Sequence, residues 1–224
     1  MPKSWQQVAL SPPREMQGAL IDLGINLSAP QSEKLLSYLS LLLIWNKRIN
    51  LTSIKDPLLI TQRHFIDSLA IARFLHPTGR FMDVGTGAGF PGLPLKIAFP
   101  KKELVMVESR RKKVSFLLEV IRSLKLEGVK VVEERLEKIR QEDIGTFDEV
   151  VTRAFGSPEI FLKLSFFLLG PAGKSIIMHG PKGKEIFASL EEKAREIGFV
   201  RSRMESYLLP LGNEERTALI FSRP

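Results

Sequence analysis

No cysteine occurs anywhere in the 224 residues. That absence removes a disulfide framework, a thiolate zinc site and a cysteine nucleophile together. Long apolar runs are missing too. The richest, over 35–45 and 161–169, are too short and too interrupted to cross a bilayer. The opening Met1-Pro2-Lys3-Ser4-Trp5-Gln6-Gln7 lacks the apolar core of a signal peptide, so a soluble, cytoplasmic protein is expected. Neither an internal repeat nor a low-complexity segment is present. Acids are in the minority, 25 against 33 Lys and Arg, for a net charge of +8. An excess of that size favours polyanion partners through local concentration and counterion release, although many basic proteins bind nothing anionic. Hydrophobic content of 44% and charged content of 26% permit a sizeable core. The length suits one large domain, or one domain with a small extension.

The most informative stretch is Phe81-Met82-Asp83-Val84-Gly85-Thr86-Gly87-Ala88-Gly89-Phe90-Pro91-Gly92. An apolar run ends in an acid, and glycines then alternate ahead of a second apolar segment. Such alternation after a strand implies a sharp turn with something bulky against its backbone. Two frames fit. Gly87-Ala88-Gly89-Phe90-Pro91-Gly92 matches the G-x-G-x-x-G dinucleotide fingerprint of a nicotinamide-dependent oxidoreductase. Asp83-x-Gly85-x-Gly87-x-Gly89 matches the nucleotide loop of S-adenosylmethionine enzymes. Charge favours the second frame. A pyrophosphate wants bare N–H groups and no neighbouring carboxylate, whereas an ammonium and a sulfonium are attracted by Asp83. Pro91 also removes a donor in the first helical turn that a phosphate would use. A glycine-rich loop with no ligand is the plain alternative. Against it stands Glu103-Leu104-Val105-Met106-Val107-Glu108, an apolar run ending in an acid about 20 residues on, where a carboxylate reaches ribose hydroxyls. Both ligand readings expect Glu108.

Upstream of about residue 78 no strand alternation appears, and 1–77 reads as a helical extension preceding a second unit over 78–224. One helix spans 33–49 with an apolar stripe. Another starts at Asp56-Pro57, an N-cap followed by proline, and continues to residue 74. Between them lies a polar and basic island, Trp45 to Ser53, whose Lys47 and Arg48 suit either a helix C-terminus or a substrate-facing surface. From Arg80 onward, strands alternate with helices, implying parallel pairing with right-handed crossovers: 81–84, 103–108, 129–132, 147–152 and 174–178. Strands near 199–208 and 216–221 then follow a single helix, which suggests a closing antiparallel hairpin. Arg110-Arg111-Lys112-Lys113 opens a helix whose dipole it opposes, so local stability does not explain it. It is either a solvated face or an RNA-backbone contact. Arg153 falls just past the fourth strand, and His179 and Lys182 past the fifth, at the edge where ligands gather in open parallel sheets.

Collected together, these residues resemble one family, the small-subunit (16S) ribosomal RNA guanine-N7 methyltransferases, also called glucose-inhibited division protein B. The resemblance spans 35–221. It rests on five ordered blocks: Trp45-Asn46…Asn50-Leu51-Thr52-Ser53, Arg63-His64…Asp67-Ser68, the glycine block with Phe90-Pro91-Gly92, Arg153-Ala154-Phe155, and Lys182-Gly183. It implies an α/β, Rossmann-like class I S-adenosylmethionine-dependent fold, with a seven-stranded, mostly parallel sheet, helices on both faces and the N-terminal helical extension. It carries cofactor roles onto Gly85, Phe90, Leu136, Glu137 and Arg153, beside Asp83, Gly87, Gly89 and Glu108. Where the family commonly has aspartate at the end of the second strand, Glu108 is one methylene longer. Guanine N7 carries a free lone pair, so attack on a sulfonium methyl needs no general base and no metal. Placement is the main task, supplied by Arg153 with Lys182 as a second candidate. Lys47, Arg48, Arg63, His64, Arg110, Arg111, Lys112 and Lys182 are the candidate RNA contacts. The implied partners are S-adenosyl-L-methionine and small-subunit RNA or its 30S particle, with no membrane and a monomeric enzyme. A non-catalytic RNA-binding module on the same fold is a further alternative.

Overall fold

The structure, a computed structural model, describes residues 14–153, 155–210 and 212–224. The opening residues read for a signal core, and Ala154 of the arginine block, lie outside the described residues. Among the described residues, no helix is long and apolar enough to cross a membrane.

Seven strands form one sheet: β1 (Arg80–Val84), β2 (Glu103–Val107), β3 (Val129–Val132), β4 (Phe147–Thr152), β5 (Leu169–His179), β6 (Arg201–Leu209) and β7 (Glu214–Ser222). Their order is β3-β2-β1-β4-β5-β7-β6. The first five pair in parallel, with Asp83 of β1 level with Met106 of β2 and Val151 of β4. The closing hairpin is antiparallel, as its sequence suggests, but β7 inserts between β5 and β6. β5 begins at Leu169, ahead of the expected start, because Leu169 pairs with Phe147 before the register shifts and resumes at Lys174.

Strand side chains alternate between two cores, one on each face. Phe81, Leu104, Met106, Val151 and Ile176 join the helices α1 (Arg14–Asp22), α2 (Ala29–Asn46), α5 (Gly92–Ala98) and α6 (Arg111–Ser123). Met82, Val105, Val107, Val150 and Ile177 join α8 (Pro158–Leu168) and α9 (Gly183–Ile197) on the other face. The small α7 (Gln141–Ile144) closes that side through Ile144. Helices ahead of β1 thus share one core with the sheet, and Gln31 fastens them there. Its Oε1 accepts the Ser28 N–H at 2.8 Å, closing the N-terminus of α2. Its amide donates to the Ile97 and Ala98 carbonyls at the end of α5.

Two segments depart from the sequence expectation. α2 starts earlier, at that cap, and stops at Asn46, whose side chain turns back to hold the Leu51 and Thr52 amides and the Thr52 carbonyl. Lys47 and Arg48 therefore lie beyond the last helical turn, exposed. The helix after Asp56 is capped as its sequence indicates, Oδ1 accepting from Leu59 N at 2.8 Å. It then changes pitch: α3 (Pro57–Ile60), a π-helical stretch (Thr61–Ile66), α4 (Asp67–Ala70) and a 3₁₀ turn (Ala72–Phe74). Single π turns inside helices recur at functional sites. This one carries Arg63 and His64.

Candidate active site

The glycine turn after β1 is built from the chain's own polar groups. Asp83 is completely buried, and its Oδ2 accepts from Thr86 Oγ1 at 2.5 Å and from the Gly92 N–H, the first donor of α5, at 2.8 Å. Gly85 and Thr86 donate to the Val107 carbonyl, Gly89 and Phe90 to Thr86, and Gly87 to Glu108 Oε2 at 3.1 Å. With the helix end already closed by a carboxylate and these amides spent, a pyrophosphate finds neither the bare donors nor the charge it needs. The dinucleotide frame fails here on geometry. Burial raises the Asp83 carboxyl to about 6 despite the Thr86 and Gly92 bonds.

Beside this turn, at the C-terminal ends of β1, β2 and β4, lies an open cleft of about 360 Å³. Gly85 forms its floor at φ +67, and a Cβ placed there meets nothing within 4 Å. The missing side chain is therefore space that a ligand can occupy. Gly89, at φ +97, takes the same backbone region for packing instead, since a Cβ would run into Leu93 and Tyr38. Glu108 walls the cleft, fixed by the Gly87 and Arg110 amides and with Lys113 Nζ 3.9 Å away. Leu136 and Glu137, in a 3₁₀ turn (Leu136–Lys138), form the opposite side with Phe155, Ser157 and Ile160. A carboxylate for ribose hydroxyls, an apolar wall for a base and a side-chain-free floor fit the adenosyl half of S-adenosylmethionine.

On the other side of the β4 terminus lies a second cavity, about 390 Å³, lined by Arg63, His64, Asp67, Arg153, His179 and Arg216 among others. The blocks of the sequence converge here. Asn46 orders the loop that presents Thr52. Thr52 Oγ1 lies 2.8 Å from His64 Nε2, and His64 Nδ1 lies 3.0 Å from Arg153 Nη1. The guanidinium stands 5.3 Å over the Phe90 ring, on which His64 also stacks at 4.9 Å. His64 Nδ1 also lies 3.1 Å from the Arg63 carbonyl, which in turn accepts from Arg153 Nη1 at 3.1 Å. Burial, then the Arg153 charge, lowers the His64 pKa to about 4. Asp67 is 4% exposed, with Arg153 Nη1 3.9 Å from Oδ2 and Arg216 Nε 3.5 Å from Oδ1. Neither contact to Asp67 is an aligned hydrogen bond, and Oδ1 has no hydrogen-bond partner. Glu214 bridges Arg63 and Arg216 at 2.7 Å each.

Of the residues expected from sequence to meet a cofactor, Gly85, Glu108, Leu136 and Glu137 line the first cleft. Asp83 does not. Its carboxylate lies beneath the turn as a brace, which leaves its field rather than direct contact for a cationic ligand. Gly87 presents its amide to Glu108, and Gly89 and Phe90 are buried behind. Arg153 faces the second cavity with Arg63 and His64. Lys182 is exposed at the start of α9, while Arg110, Arg111 and Lys112 are exposed at the start of α6. Asp67 stood in a sequence block without a role, and Arg216 carried no local signal. Only the insertion of β7 beside β5 brings Arg216 to the cavity.

This strand order with its reversed seventh strand, the spent glycine turn and the acid-walled cleft define a class I methyltransferase. Solved structures agree on the fold: a SAM-dependent methyltransferase from Aquifex aeolicus superposes with a TM-score of 0.58 at 18% identity, covering 78% of this chain and 97% of that one. M. jannaschii TYW2 in complex with AdoMet superposes with the same score of 0.58 at 16% identity, over 72% and 75% of the chains. The family model described as rRNA small subunit methyltransferase G matches residues 31–216, and the chain belongs to that family. Among its relatives named ribosomal RNA small subunit methyltransferase G, that of Syntrophotalea carbinolica is 36% identical over 93% of this chain and 96% of its own. The Pseudomonas aeruginosa protein is 41% identical over 78% and 80%.

Proposed function

We propose that this protein transfers a methyl group from S-adenosyl-L-methionine to N7 of a guanine in small-subunit (16S) ribosomal RNA. It acts as a cytoplasmic monomer, and its substrate is small-subunit RNA, free or within the 30S particle. The observation that carries this reading is the cleft beside Gly85: a floor without a side chain, a carboxylate wall at Glu108, and turn amides bonded to the chain instead of to a phosphate. Gly85, Glu108, Leu136 and Glu137 hold the cofactor there, and Asp83 keeps the turn in shape. When bound, the cofactor supplies an electrophilic sulfonium methyl.

The protein's share of the work is placement. N7 attacks with a lone pair already free, so no side chain has to take a proton, and the neutral His64 is needed as a support. Its ring stands against Arg153 and lies on Phe90, which fixes the guanidinium at the rim of the second cavity. Arg153 and Arg63 there meet RNA phosphate or the flipped base. Exposed Lys47, Arg48, Arg110, Arg111, Lys112 and Lys182 add contacts to the backbone. Alignment of two reactants in this way supplies roughly 7–11 kcal/mol of barrier reduction. The reading is tested with methyl-labelled cofactor and small subunits purified from cells that lack the enzyme. Label is expected in the RNA, and calorimetry is expected to show binding of S-adenosylmethionine but not of NAD. Binding without any transfer would instead favour a non-catalytic RNA-binding module.

A further inference from the structure

The second cavity holds an acceptor with too little to accept. Among the described residues that line it, Asp67 is the only acid, set among the guanidiniums of Arg63, Arg153 and Arg216. Arg153 and Arg216 balance its charge from 3.9 and 3.5 Å, yet Oδ1 remains buried without a hydrogen-bond partner. A buried carboxylate oxygen left in this state is costly unless a ligand brings donors to it.

The chemistry of guanine supplies them. Proteins most often read guanine with an arginine fork on O6 and N7. That mode would occupy the atom to be methylated. An enzyme that alkylates N7 must therefore read the base from its other edge, which presents two adjacent donors, N1–H and the 2-amino group. A carboxylate matches that pair, and the edge it leaves free is the one carrying N7. Adenine presents an acceptor at N1, which a carboxylate repels.

Resting on the function proposed above, we propose that Asp67 is the specificity-determining residue, accepting hydrogen bonds from the N1–H and 2-amino groups of the target guanine held in this cavity. The test uses small subunits reconstituted with RNA that carries either guanosine or inosine at the target site, inosine lacking only the 2-amino group. Wild-type enzyme is expected to lose about 10- to 100-fold in kcat/KM on inosine, the worth of one hydrogen bond to a charged group. Asp67→Asn is expected to be slower on guanosine and to bring the guanosine-to-inosine ratio close to one, with cofactor affinity and thermal unfolding showing a folded protein. A purely structural Asp67 would slow both substrates alike and leave the ratio standing, which overturns the proposal. So does a wild-type enzyme that methylates both equally well, an outcome that holds even if the variant fails to fold. Absence of transfer to guanosine by wild type strikes the proposed function itself.

Discussion

Gly85 and Gly89 share a left-handed backbone but differ in what their missing side chains leave room for. Gly85→Ala is expected to abolish S-adenosylmethionine binding in calorimetry while lowering stability by only about 1 kcal/mol, the strain of a Cβ at positive φ. Gly89→Ala should destabilise by about 1–3 kcal/mol, because the methyl collides with Tyr38 and Leu93 in a packed core. Equal cofactor affinity in wild type and Gly85→Ala would show that the cleft is not the cofactor site. Arg153→Ala is expected to lower methylation by about 100-fold or more through misplacement of the substrate, with about 1 kcal/mol lost in stability. The same substitution removes a cation from His64, so the His64 titration in NMR should move upward from about 4 towards 6.5. Since folding depresses this pKa, the neutral ring's contribution to stability is complete above 6.5 and lost as the pH falls through 4. Asp67 and Asp83, raised by burial from 3.8 to about 6, act oppositely, their contribution being complete below 3.8 and lost as the pH rises through 6. The destabilisation caused by His64→Gln should therefore shrink between pH 6.5 and pH 4. The sequence placed Glu108 and Gly85 correctly at strand ends, because strand termini show in local apolar patterning. It could not show Asp83 turned under the loop, since that depends on where the first amide of α5 lies.

The π-helical stretch Thr61–Ile66 and the loop after α2 have meaning only as partners. Asn46 fastens the loop, the loop presents Thr52, and Thr52 holds the imidazole that in turn abuts Arg153. Thr52→Val keeps the shape and removes the hydroxyl. It is expected to cost about 0.5–1.5 kcal/mol and to lower methylation while leaving cofactor affinity unchanged, as the cleft beside Gly85 lies on the other side of β4. Unaltered methylation would show that the imidazole needs no support from the extension. The strands, their parallel run and the closing hairpin were legible from periodicity. The change of helical pitch after Ile60 was not, because an apolar stripe at helical spacing looks the same whether one turn holds an additional residue or not.

At the scale of the whole molecule, the helices before β1 and the sheet cannot be separated without opening a core. Across that junction Tyr38 stacks on Phe90, and Phe65 packs edge-on against both. We propose that 1–77 is an extension packed on the methyltransferase unit of 78–224, and that the latter expressed alone is expected to be unfolded or aggregated. A stable, cooperative fragment would contradict this. Composition revealed the charge excess but not where it lies, and the exposed Lys47, Arg48, Arg110, Arg111 and Lys112 are its expected RNA-facing members. Each phosphate contact removed by substitution to glutamine should lower the log–log salt slope of RNA binding by about 0.7–0.9. The tight cluster of Arg63, Asp67, Arg153, Glu214 and Arg216 draws on three separated stretches of chain, so no window of sequence displays it. The central claim, that the cofactor cleft and arginine-lined cavity together methylate a guanine at N7, is met most directly by mass mapping of small-subunit RNA from cells with and without this protein. One 7-methylguanine present only with the protein, and lost with Arg153→Ala, is the expected result. An identical methylation map in both strains would contradict it.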